Sequence, residues 1–154
     1  MPLEYNNGLI QFVQDHLTQQ QTAAPFWDLL QDPKWANVDI DIKEAIYRRD
    51  TNGRDAALYA AKALESTLKI ISDENGWTTG KEKGAANYID NLVSKANGNY
   101  IADWEAEMLR SMFGKIRNPH GHGPGASPPP SLTQKQTTWV IESCMSWIKS
   151  LTGR

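Results

Sequence analysis

The sequence is short of the features that mark several protein classes. It has one cysteine, Cys144, in 154 residues. No internal disulfide can form, and the expected compartment is a reducing one. It has no apolar run near the roughly 18 residues that a membrane span requires. Its opening, MPLEYNNGLI, has no basic segment leading into an apolar one. It has no excess of either charge: 16 Lys and Arg stand against 18 Asp and Glu, for a net charge of -2. That excludes a strongly basic nucleic-acid-binding domain and leaves room for a local basic patch. There is no internal repeat, and no stretch alternates apolar and polar residues long enough to demand a strand. These absences predict a cytoplasmic protein with no membrane association.

What is present is helical. Hydrophobic residues make up 40% and charged residues 22%, a balance that suits one domain with a real core. From Leu3 to about Gln19, Leu9, Ile10, Phe12, Val13 and Leu17 fall at helical spacing, and QQQTAAP closes that run. PFWDLLQDPKW, between prolines 25 and 33, predicts one or two helical turns. Residues 39 to 49 predict an amphipathic helix started by Asp39 or Asp41. The strongest helix runs from about Arg54 to Ser72, where Ala57, Ala60, Ala61, Leu64, Leu68 and Ile71 form one stripe. Its small residues let neighbours approach closely, which places it at the centre of a bundle. Gly76 is its expected C-terminal cap.

Three further helices follow. Residues 82 to 95 carry Ala86, Ile89, Leu92 and Val93. Residues 100 to 117 carry Ile101, Trp104, Met108, Met112, Phe113 and Ile116 on one expected face. A last helix opens near Ser131 or Thr133 and runs to about Leu151 with Val140, Cys144, Trp147, Ile148 and Leu151 as its stripe. The fold class is therefore all-α: an antiparallel bundle of about four principal helices with short extras. Residues 1–38 are an N-terminal extension and 39–154 the bundle.

One segment has the composition of a site. Residues 115 to 130 read KIRNPHGHGPGASPPP. Arg117 falls on the last turn of its helix, where a cation suits the helix dipole. Asn118 precedes Pro119, which ends the helix. The turn-prone stretch to His122 can return an imidazole toward the guanidinium, and three prolines limit how far the exit wanders. Histidine titrates near neutrality and serves as general acid or base. Arginine stays charged and grips phosphate bidentately. Asparagine orients a hydroxyl, a phosphate oxygen or the imidazole. Together they suit phosphodiester transfer without a metal, in which a base takes the proton of an RNA 2′-OH and a cation holds the phosphorane charge. DNA lacks that nucleophile, so the chemistry selects RNA.

R-N-P-H-G-H, with four residues between Arg117 and His122, resembles the motif of the HEPN superfamily. More narrowly, DAALYAAKALESTLKII, the helix into IRNPHGHGPG and the final helix resemble the C-terminal domain of abortive-infection proteins. The resemblance covers roughly residues 40 to 151. The Arg–His gap is shorter here than in the commonest Abi pattern. His122 is preferred to His120 because only two residues separate Arg117 from His120. The resemblance implies an all-α, cofactor-free, metal-independent endoribonuclease, acting as a homodimer with a shared cleft, as a toxin in antiviral defence. By the same resemblance Arg117 stabilises the transition-state phosphate, His122 is the acid and base, and Asn118 orients the pair. Other family members have lost activity and bind nucleotides or partner proteins, and a purely structural module is a third possibility. An antitoxin or sensor protein is a further expected partner.

Other candidates carry quieter roles. Glu65 either pairs with Lys62 or Lys69 or reaches the motif and holds a histidine. Arg48, Arg49 and Arg54 cluster at a turn, as a solvated face or as holders of RNA backbone. Lys81 and Lys83 are read the same way. His16 reads as a surface residue and Cys144 as core. His120 and His122 without a cysteine partner make a poor zinc site. Surplus tryptophans, Trp104, Trp139 and Trp147, suit a dimer interface.

Overall fold

Alanine sets the architecture. In the computed structural model, residues 3–6, 9–12, 24–117 and 131–154 are described, the side chains for 24–116 and 131–154. Six α-helices are present among them: α1 (Ala24–Leu29), α2 (Ala36–Asp50), α3 (Ala56–Glu74), α4 (Ala85–Val93), α5 (Asp103–Met112) and α6 (Gln134–Thr152). The alanines of α3 at 60, 61 and 63 are fully buried beside Leu64 and Leu68. A helix with so little side-chain bulk on its inner faces admits neighbours on several sides. Accordingly α2, α4 and α6 all pack against α3, which stands at the centre as its stripe predicts. The fold class is all-α, as expected.

The chain directions follow from a few contacts. Gln134 Nε2 donates to Arg49 O at 3.3 Å, so α6 starts beside the α2–α3 turn. Tyr100 Oη donates to Leu151 O, so α6 finishes beside the start of α5. Asn91, late in α4, donates to Ser72 Oγ at 3.1 Å, late in α3. Ile101 N donates to Leu92 O at 3.2 Å, and Arg110 pairs with Asp90 at 2.8 Å. Thus α4 runs with α3, and α5 returns along α4 toward the first half of α3.

Several boundaries depart from the sequence reading. The expected helix from Leu3 is replaced by two strands, β1 (Leu3–Asn6) and β2 (Leu9–Phe12), paired antiparallel with Asn6 opposite Leu9, and its remainder, residues 13–19, lies outside the described residues. The sequence between them is Asn7-Gly8, the strongest short hairpin signal, and it outweighs a helical period that four-residue strands are too short to contradict. Neither Asp39 nor Asp41 starts α2. The helix begins at Ala36, behind a 3-10 turn (Pro33–Trp35) whose cap is Asp32, accepting from Lys34 N at 3.1 Å. Asp39 falls in the first turn instead, paired with Lys43 at 3.0 Å.

Two faces are rotated from expectation. On α5, Trp104 and Met108 point to water (62% and 54% exposed), while Ala106, Leu109, Phe113 and Ile116 face inward. On α4, Ala86 is exposed, and Ala85 and Tyr88 join Ile89 and Leu92 inside. Elsewhere the reading holds. Gly76 follows α3 with φ +74°, the left-handed value a glycine cap supplies. Thr133 caps α6 by a reciprocal box with Gln136, its Oγ1 accepting from Gln136 N at 3.1 Å. Phe26 and Trp27 of α1 lie in the same buried core as the bundle. Among the described residues no helix is long and apolar enough to cross a membrane.

Candidate active site

The last turn of α5 is irregular. Phe113–Arg117 winds as a π-helix, and it packs against α3. Such a widened turn is rare and recurs at functional sites. Phe113 and Ile116 are buried and fix it to the core, with exposed Gly114 and Lys115 between them. The backbone of Arg117 follows directly after that anchor. Asn118, His120 and His122 lie outside the described residues, as does His16.

The course of α5 carries Arg117 toward the end of the bundle where α6 begins. Sixteen residues separate Arg117 from Gln134, and Gln134 is held at the α2–α3 turn through Arg49 O. That turn carries all three arginines read as RNA-backbone candidates. Their environments differ. Arg48 is fastened: Nε donates to Glu44 at 2.7 Å, one Nη to Arg54 O at 2.9 Å and the other to Tyr59 Oη at 3.3 Å. Its guanidinium also lies 4.3 Å from the Tyr59 ring centre. The hydrogen bond to Glu44 raises its pKa further above the usual guanidinium value. Arg49 pairs with Asp50 at 2.9 Å. Arg54 is exposed. Arg48 therefore braces the turn, and Arg54 offers its charge to solvent.

Glu65 sits half-buried on α3, on one face with Lys62, Ser66 and Lys69. Asp41 on α2 has its carboxyl raised by burial, an effect that the charge of Lys62 opposes. Cys144 is sealed in the core, where burial pushes its thiol up to about 12, so it is inert as a nucleophile. Trp104 and Trp139 are exposed and Trp147 half-buried. The sequence reading missed the π turn. Phe113 and Ile116 fall at ordinary helical spacing, so nothing in the sequence marked it.

Residues 36–152 match the Abi_C family, a HEPN-like domain. The match runs through α2 to α6 and across the whole Arg117–His122 segment. The chain matches no curated protein and no solved structure.

Proposed function

We propose that this chain, which belongs to the Abi_C family of HEPN-like domains, is a metal-independent endoribonuclease of an abortive-infection or toxin type of bacterial defence. The observation that supports this most is the R-N-P-H-G-H segment, inside the matched domain and entered from a π turn at the end of α5. In this reading neutral His122 takes the proton of a ribose 2′-OH. The oxygen attacks the adjacent phosphorus, the P–O5′ bond breaks, and a 2′,3′-cyclic phosphate forms. The departing 5′-oxygen takes a proton from an imidazolium, supplied by His120 or by the second protomer of a homodimer. Arg117 holds the charge that builds on the phosphorane, and Asn118 orients the pair. Glu65 supports the motif from α3. Arg54 and Arg49 steer RNA backbone toward this end of the bundle, with Arg48 shaping the turn that presents them. An antitoxin or sensor protein restrains the activity, and residues 1–38 act as an extension whose last part, from α1 on, packs into the nuclease core.

The test is cleavage of total RNA by the purified chain in EDTA, beside Arg117→Ala and His122→Ala. Cleavage should persist in EDTA and fall by about 10²-fold or more in each variant. Light scattering should give twice the 17.3 kDa chain mass. Absence of cleavage of any RNA, or equal cleavage by the variants, overturns the reading.

A further inference from the structure

A groove of about 380 Å³ lies between α3 and the start of α4. Lys62, Ser66 and Lys69 line it from α3 at spacings of four and three residues, one face of two helical turns, about 10 Å of rise. Lys83 and Gly84 close it at the start of α4. We infer that this groove is a binding site for the phosphate groups of a nucleotide chain.

The cations are available. Lys34 and Lys43 each pair with a carboxylate, at 3.1 and 3.0 Å. Among the described residues Lys62, Lys69 and Lys83 form no such pair. Lys62 lies over the Tyr59 ring, 4.7 Å from its centre, a contact that steadies the ammonium without neutralising it. Glu82, which also lines the groove, is turned to its own loop. Its carboxylate accepts from Thr79 N at 2.7 Å, Gly80 N at 2.9 Å and Asn91 Nδ2 at 3.1 Å. Three ammonium groups thus stand in the groove against two carboxylates, Glu65 and the loop-bound Glu82, with Asp41 of α2 also within reach of the Lys62 charge. Gly84 offers α4 no capping side chain, and Asn87 Oδ1 accepts from Lys83 N at 2.9 Å, so the partial positive charge of the first turn adds to the lysines only in part. The Ser66 hydroxyl adds a donor between them. The volume falls within the range of small-ligand sites, roughly 300–1,000 Å³, which suits one or two nucleotides.

RNA as the source of those phosphates rests on the ribonuclease reading. Glu65 is common to the groove and to the residues proposed to support the motif, and the π turn before Arg117 packs on the same helix. RNA lying along Lys62, Ser66 and Lys69 would run past the end of α5.

The probe is a 2′-O-methyl tetranucleotide, which cannot be cut, titrated by fluorescence anisotropy into the full chain at several salt concentrations. AMP and pyrophosphate form parallel arms. Lys69→Gln/Lys83→Gln removes two exposed ammonium groups, and its melting temperature should match that of the unaltered chain. The double variant should bind the tetranucleotide about tenfold more weakly, and its slope of log affinity on log salt should fall by about 1.4. A parallel loss for AMP or pyrophosphate identifies free nucleotides as the source, and a loss for the tetranucleotide alone identifies RNA. Undiminished binding by the double variant, or no binding of any probe, overturns the proposal. Groove-dependent binding by a chain that never cleaves RNA would sink the ribonuclease reading and leave this one standing.

Discussion

Where α6 finishes, charged groups are consumed by one another; where it begins, Arg48 and Arg49 are paired but Arg54 is left facing water. At the finishing end Arg154 grips buried Glu105 and also donates to Tyr100 O at 3.4 Å. Tyr100 in turn holds Leu151 and meets the edge of Trp77, with ring centres 5.8 Å apart. Lys34 bridges to Glu74 nearby at 3.1 Å. At the beginning end Gln134 fastens α6 to the α2–α3 turn through its hydrogen bond to Arg49 O, and Arg54 stands exposed. The same residue type does opposite things. Arg154 meets a carboxylate withdrawn from water, so its contacts close the structure, whereas a solvated arginine contributes little to stability and remains free to attract an anion. One end is built to hold, and the other to present.

A shared middle unites the two ends. Leu64 is fully buried in that middle, on α3. Leu64→Ala should cost about 3 kcal/mol by lost transfer energy and the cavity left behind. Urea denaturation followed by tryptophan fluorescence and by far-UV circular dichroism should show one transition at a lower midpoint. Two separated transitions would mean that the ends fold independently, and the contrast between them would then be one between two bodies.

Next in size is the clasp itself. Glu105 accepts from Ala102 N at 3.0 Å as well as from Arg154, so it both caps α5 and ties down the end of α6. Glu105→Ala should cost about 2 kcal/mol, since hydrogen bonds to a charged group are lost on both sides, and RNA cleavage should stay unchanged. The pH dependence has a definite sign. The Arg154 hydrogen bond holds the Glu105 carboxyl below its ordinary value of 4.5, against an opposing effect of burial. Its stabilisation is therefore complete above that value and is lost as pH falls through the lower folded value. Glu82 behaves likewise, its carboxyl held down to about 2, chiefly by the backbone of Thr79. Melting curves from pH 6 to pH 2 should fall less steeply for Glu105→Gln and Glu82→Gln than for the unaltered chain. Parallel curves would show that neither carboxylate acts in acid unfolding.

The two ends also differed in how far the sequence disclosed them. The centre was readable because Ala57 to Ile71 repeat at helical spacing with residues too small to face anywhere but a neighbour. The face of α5 was not, since Trp104 and Met108 are as apolar as Leu109, and folded proteins leave much apolar surface in water. Buried Glu105 reverses the usual polarity rule and is explained by its cap on Ala102 N together with Arg154, 49 residues later. The hairpin was misread because its apolar residues satisfied two periods at once, and Asn7-Gly8 was the discriminating pair. At the presenting end the proposed chemistry rests on residue types alone, Arg-Asn with a following histidine. Its setting was not readable. The groove joins residues 62–69 to residues 82–88, and the brace of Arg48 depends on Tyr59 and Arg54 across a turn.

The smallest effect divides the presenting end within itself. Arg48 and Arg54 belong to one cluster in sequence, yet Arg48 spends its donors on Glu44, Tyr59 and the Arg54 carbonyl, while Arg54 shows its side chain to water. Gly53 lies tightly on Arg48, its N donating to Arg48 O at 2.6 Å, so the turn is shaped around that residue. Arg48→Ala should lower the melting temperature by less than Glu105→Ala does. Arg54→Ala should leave the melting temperature alone and instead lower the slope of log RNA affinity on log salt by about 0.7, the share of one phosphate contact on a single strand. The reverse outcome, with Arg54 moving stability and Arg48 moving only the salt slope, would mean that the brace and the offered charge have been assigned to the wrong arginines. Salt slopes that stay at the unaltered chain's value in both variants would remove RNA contact from this turn and leave it as a structural corner.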